Sequence, residues 1–340
     1  MKEGLSQSLA RELGFDRETQ FCCRLLAQGA SVRISTDVAE LREVLPANFK
    51  GFENMIPGFS VDRVEGDGER LVILENEDSG LYFDEQKRTV YLFGGTTDFV
   101  DGQAIAWVSS WLMERQRQER SLFTMHSSAV TMSGKGVLLL GHSGAGKTSI
   151  MLNLCQKYGA SVVSNDLTVV RHDFGSKRIS LVEGTKEIRL RLASVEQNFP
   201  SLKKYFASRD SSAWESKIVV HPEDIGLTSE QGQPQITSIF EVHLDSKGTD
   251  GLLVRQEEQV PIRYRLYEDM ARIVRGSAIS VFDSRHQFLG YMPSLDSENI
   301  HAKRVACIEE MVDGVGVVSV SGGNIEEITE AIFSIVSGQN

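Results

Sequence analysis

The stretch Gly141–Ser149, GHSGAGKTS, fits the pattern G-x-x-x-x-G-K-[ST] of a phosphate-binding loop. Such a loop works between a buried strand and the start of a helix, so its flanks decide whether it is more than a glycine-rich turn. Upstream stands VLLLG, a short apolar run typical of a buried strand, preceded by the turn SGKG and by a strand candidate, SLFTMHSSAVTM. Downstream, KTSIMLNLCQKY predicts a helix stopped by Gly159, and SVVSND predicts a second buried strand. The glycines let backbone N–H groups converge on phosphate oxygens, and the helix points its partial positive end at the same place. Gly141, His142, Ser143, Gly144, Ala145, Gly146, Lys147, Thr148 and Ser149 are therefore candidate nucleotide contacts. Lys147 can reach the β- and γ-phosphates as a point charge, and the hydroxyl of Thr148 can bind Mg²⁺.

Metal binding also needs carboxylates. Asp166 falls at the end of the second buried strand, where a further acidic ligand or a base belongs in such folds; the plainer reading is a strand-end Asp that caps a turn. In KEIRLRL, Glu187, Arg189 and Arg191 are two residues apart and share one face if the segment is a strand. That face could hold Mg²⁺ and phosphate, or it could be an ordinary solvated charged surface. His126 sits among apolar and small residues, a setting in which most lone histidines are structural.

A chain of 340 residues suggests two domains and is ample for a core. Its net charge of −11 argues against a general nucleic-acid surface. The cysteines, Cys22, Cys23, Cys155 and Cys307, show no C-x-x-C spacing; Cys155 reads as a buried thiol, and reduced, cytoplasmic conditions fit. The opening residues lack the apolar run of a signal peptide, and no stretch of 18 apolar residues predicts a membrane span.

Residues 1–120 read as an α+β accessory domain and 121–340 as the loop-bearing domain. In the first, SVRIST alternates like a strand, Asp37 is placed to cap a helix VAELREVL that Pro46 helps to end, and RLVILENE, GLYFDEQ and TVYLFGG predict a β-meander. AIAWVSSWLMERQRQER predicts a helix that is apolar in its first half and charged in its second. In the second, YRLYEDMARIVRG and ENIHAKRVACIEEMV predict helices, residues 200–235 read as surface loops, and GVGVVSV predicts a strand followed by a helix capped by Asn324.

The loop is shared by several enzyme classes. A GTPase needs [NT]-K-x-D, which is absent, and a transporter ATPase needs a signature before an acidic strand, for which VSGGN at Val320–Asn324 comes too near the end. A hydroxyl-directed kinase is the simplest class left. The stretch MHSSAVTMSGKGVLLLGHSGAGKTSIMLNLCQKYGASVVSND, with EIR at Glu187–Arg189 downstream, resembles the catalytic core of the HPr kinase/phosphorylase family and its kinase-like relatives, which share a core with phosphoenolpyruvate carboxykinase.

That resemblance implies an α/β P-loop kinase core with an N-terminal accessory domain, and transfer from Mg-ATP to a hydroxyl. It implies that His126 lies in the active site, that Glu187 helps Thr148 and Asp166 hold Mg²⁺, and that Arg189 sits near the phosphates. Lys147, Asp166, His126 and Arg189 form the expected catalytic group. The implied acceptor is a serine-type hydroxyl of a peptide or protein; a free amino acid or biosynthetic metabolite is the alternative, and a nucleotide-binding regulator with weak catalysis a third. A homo-oligomer is left open, and no membrane partner is expected. One departure stands out: the family has two acids at the strand end, where this chain has Asn165-Asp166. An amide cannot accept a proton from a hydroxyl, so phosphorylase activity is not carried over.

Overall fold

The computed structural model describes residues 18–44, 52, 54–206, 217–245, 251–276 and 280–338; Pro46 and the opening residues read for a signal peptide lie outside them. The chain is mixed α/β with several mixed sheets, and it divides into two compact units. One comprises Met1–Arg120 with Ala271–His301, the other Ser121–Met270 with Ala302–Asn340. The segment 271–301, read from sequence as part of the loop-bearing domain, thus packs within the first unit.

The first unit contains β1 (Gln20–Ala27), β2 (Ala30–Thr36), α1 (Ala39–Val44), β3 (Ser60–Asp62), β4 (Glu69–Glu75), β5 (Gly80–Asp84), β6 (Thr89–Gly94) and α2 (Gln103–Glu119). The strands run in the order β3-β1-β2-β4-β6-β5, with β4 parallel to both β2 and β6. The expected meander is therefore not formed: β6 inserts between β4 and β5. Burial explains the choice. Val72 and Leu74 are as enclosed as Leu71 and Ile73 on the opposite face, so β4 needs a neighbour on each side, while the half-exposed β5 tolerates an edge. The side chain of Asp37, placed in sequence to cap α1, accepts the N–H of Glu75 at 2.9 Å. Helix α2 covers the sheet with Ile105, Val108, Trp111 and Leu112. Part of its charged half is buried too: Gln118 donates to Glu114 at 2.8 Å, and Arg117 lies 3.6 Å from the same carboxylate.

The second unit begins with β7 (Leu122–His126), β8 (Ser128–Met132), β9 (Lys135–Leu140), α3 (Lys147–Tyr158), β10 (Ser161–Ser164), β11 (Leu167–Asp173) and β12 (Arg178–Gly184). It continues with β13 (Ile188–Arg191), α4 (Leu192–Asn198), β14 (Lys217–Val220), β15 (Ile236–Leu244), β16 (Leu253–Gln256) and α5 (Gln259–Ala271). The chain then adds β17 (Ser280–Phe282) and β18 (Phe288–Tyr291) to the first unit, and returns with α6 (Glu298–Glu309), β19 (Val317–Gly322) and α7 (Ile325–Ser337). Its main sheet runs β10-β8-β9-β15-β19-β16, with β9, β15 and β19 mutually parallel at its centre. A second sheet runs β12-β11-β7, and β13 pairs with β14, so residues 200–235 are not all loop.

Two local signals set this arrangement. Ser133 and Gly134, at φ 50° and 76°, form the two-residue turn that closes the β8–β9 hairpin. At Ser127 the run read as one strand breaks into β7 and β8, which belong to different sheets; the Ser127 N–H donates to Asp166 O at 3.0 Å. Among the described residues no helix is long and apolar enough to cross a membrane. The Asn324 cap on α7 is present, with its side chain accepting from the Glu326 N–H.

Candidate active site

The loop leaves the end of β9 and enters α3 at Lys147. Gly144 and Gly146 take φ values of 85° and 89°, which residues with a side chain rarely adopt. At Gly146 there is also no room: a Cβ would lie 2.6 Å from Cβ of Leu244. Leu244 in turn donates its N–H to Ala145 O at 2.9 Å, fixing the loop against β15. His142, Ser143 and Gly144 form the exposed tip. Ser149 points elsewhere, with its hydroxyl 3.1 Å from that of Ser194 on α4.

Lys147 is buried, at 7% exposure, and curls back over the loop. Its ammonium donates to Gly141 O at 2.7 Å and to His142 O at 3.2 Å, and lies 3.1 Å from Nε2 of His126. On the other side of the ring, Nδ1 of His126 is 3.0 Å from Oδ1 of Asp166. An ammonium has only hydrogens to give, so the arrangement is satisfied when Nε2 carries the lone pair and Nδ1 the proton. Burial lowers the pKa of Lys147, with the charges of Asp166 and Asp269 opposing it. For Asp166 burial acts upward, but the hydrogen bond from His126, then the charges of Lys147 and Arg189, outweigh it and hold the carboxyl below its usual value. Asp166 is thus a half-exposed carboxylate, ionised at neutral pH, within the field of three cationic or hydrogen-bonding partners.

The strand-end pair divides its tasks. Asn165 is buried and faces the loop: its Oδ1 accepts from the Thr148 hydroxyl at 2.9 Å, and its Nδ2 donates to Glu187 O at 3.0 Å. Glu187 lies just before β13, not in it, and is partly buried. Arg189 and Arg191 are exposed on one face of β13, with Ile188 and Leu190 buried on the other. Among the described residues no cluster of three or more His, Cys, Asp or Glu side chains has metal-binding geometry. A Mg²⁺ ion asks for less: it is commonly held by one or two carboxylates with phosphate oxygens and water. The donor set of Thr148, Asp166 and Glu187 suits that chemistry.

Sequence reasoning missed two participants. Asp269 on α5 accepts the backbone N–H of His126 at 2.9 Å, across 143 positions of sequence, and nothing local marks it. The place of Asn165 between Thr148 and Glu187 likewise has no local sequence signal.

Comparison with known proteins gives a limited answer. No family model matches the chain. A similar curated protein is the HPr kinase/phosphorylase of Chlorobium phaeovibrioides (strain DSM 265 / 1930), 38% identical over 80 residues. The similarity covers 22% of this chain and 24% of that protein, so the two are alike over about a quarter of the relative's length.

Proposed function

We propose that this chain is a kinase that uses Mg-ATP to phosphorylate a hydroxyl group, and that the acceptor is a serine-type hydroxyl of a peptide or protein. The observation that carries the reading is the line from Lys147 through His126 to Asp166, with spacings of 3.1 and 3.0 Å. In this reading the cation that would hold the phosphates and the carboxylate that would receive a proton are separated by one imidazole ring. The loop amides and Lys147 bind and orient the phosphates. Thr148 and Glu187, with Asp166, would hold Mg²⁺, which when bound neutralises charge on phosphate oxygens. Oδ1 of Asp166 is engaged by His126, which leaves Oδ2 to orient the acceptor hydroxyl and take its proton. Arg189, whose charge already acts on Asp166, offsets negative charge that builds up during transfer. The part-length similarity to a protein named as a kinase/phosphorylase supports the same class.

The test is incubation with ATP labelled at the γ-phosphate, Mg²⁺ and a host extract fractionated by size. Label in a protein or peptide fraction, lost in Lys147→Ala, is expected. Label in small metabolites alone would overturn the acceptor, and tight nucleotide binding with no label anywhere would overturn the kinase.

A further inference from the structure

Asn165 follows directly after β10 and is held by its main chain on both sides. Its N–H donates to Thr185 O at 2.8 Å, and its carbonyl accepts from the hydroxyl of Ser128. The side chain, 5% exposed in a residue so clamped, has little freedom to turn. It lies between two groups whose chemistry fixes its polarity. The carbonyl of Glu187 can only accept, so the amide edge 3.0 Å from it must be Nδ2. The edge 2.9 Å from Thr148 is then Oδ1, which also can only accept. Thr148 must therefore spend its single hydroxyl proton on Asn165. An oxygen in that state presents lone pairs to its other neighbours and cannot donate to a phosphate.

We propose that Asn165 is a positioning residue of the phosphate loop: by fixing the hydroxyl proton of Thr148, its amide keeps that oxygen as a ligand for a divalent cation. The same amide ties the start of α3 to the segment that carries Glu187 and Arg189. The inference rests on the kinase reading and adds a residue to it. It also reverses the meaning of the missing acid. A carboxylate at 165 would set an oxygen without hydrogen against the Glu187 carbonyl, and it fits the same chain only when protonated. The amide is what this hydrogen-bond chain requires.

The test compares native protein, Asn165→Ala, Thr148→Val and the double variant at one pH, in two arms. Without ligand, urea midpoints close a double-mutant cycle: if the Thr148 hydroxyl is spent on Asn165, the double variant should lose clearly less than the sum of the two single losses. With ligand, calorimetry measures ADP affinity with and without Mg²⁺. The affinity gained on adding Mg²⁺ should fall roughly 10–100-fold in Asn165→Ala, as for other groups that orient metal ligands, while ADP binding without Mg²⁺ should stay within about twofold. Additive losses in the cycle, or a Mg²⁺ gain in Asn165→Ala equal to native, would overturn the proposal. Native protein that binds no nucleotide at all would instead sink the kinase reading and the metal role with it, while the ligand-free arm still decides whether Asn165 holds the hydroxyl.

Discussion

The ammonium of Lys147 stands 3.1 Å from Nε2 of His126, so the cation suited to a phosphate is already shared between an imidazole and the carbonyls of Gly141 and His142. A bound phosphate would compete for a lysine held in place, not gather one from solvent. Native protein should therefore gain about 2.7 kcal/mol from Mg-ATP at a hundredfold excess over Kd. Lys147→Ala should remain folded by circular dichroism and lose most of that gain in a melting experiment. An equal rise in melting temperature in the variant would detach Lys147 from nucleotide binding.

Glu187→Gln keeps the shape of the side chain and leaves the main-chain carbonyl that Asn165 uses. It should weaken Mg²⁺-dependent nucleotide affinity by about tenfold or more, and nucleotide binding in EDTA hardly at all. Titrations with and without the ion read the two separately. Identical Mg²⁺ dependence would make Glu187 an ordinary partly buried charge.

Gly146→Ala meets two obstacles at once, a φ of 89° and Cβ of Leu244 at 2.6 Å. The expected cost is about 1–3 kcal/mol by urea denaturation, with loss of nucleotide binding as the loop shifts. Gly134→Ala, also at positive φ but with open space around it, is the control: it should cost stability and leave binding intact. Equal loss of binding in both variants would mean that the loop has no special shape to protect.

His172 gives a pH dependence with a definite sign. It is 5% exposed, its ring lies 4.3 Å from that of Phe174, and neither ring nitrogen has a hydrogen-bond partner among the described residues. Burial lowers its pKa from the ordinary 6.5, and Glu310 and Asp173 offset this only in part. The unfolded chain therefore takes up the proton first. The contribution is complete above the ordinary imidazole value and is lost as pH falls below it, by up to about 1.4 kcal/mol per pH unit until the folded pKa is reached. Urea midpoints measured between about pH 7.5 and pH 5 should fall more steeply for native protein than for His172→Leu. Parallel profiles would remove His172 as the cause.

What could be read in the sequence was what short segments decide alone. The β9 strand, the glycine loop, the helix stopped at Gly159 and the Asn324 cap each carry their own signal, and each is formed. Partner choice was not legible. RLVILENE, GLYFDEQ and TVYLFGG are all strands, but which two become neighbours depends on how much apolar surface each must hide from both sides. The break at Ser127 was hidden by an unbroken run of small and apolar residues. The strand face expected to carry Glu187 with Arg189 and Arg191 begins one residue late, at Ile188, and Glu187 lies just before it with its carbonyl accepting from Asn165 Nδ2. Residues such as Glu114 and Arg117, polar by name, are buried against each other and Gln118, a pairing that their charges alone did not reveal.

The return of residues 271–301 to the first unit has a consequence for the order of synthesis. Val281, Leu289 and Met292 belong to the same core as Trp111 and Leu25, and the indole N–H of Trp111 donates to Pro293 O at 3.1 Å. A nascent chain that has reached residue 120 has made β1 to β6 and α2 but not the pieces that close their core. It must wait through a further 150 residues, including the whole phosphate loop, before that core can be completed. A fragment ending at Arg120 should thus be sticky and poorly soluble. A useful dissection of this protein would join 1–120 to 271–301 through a short linker instead of cutting the chain once.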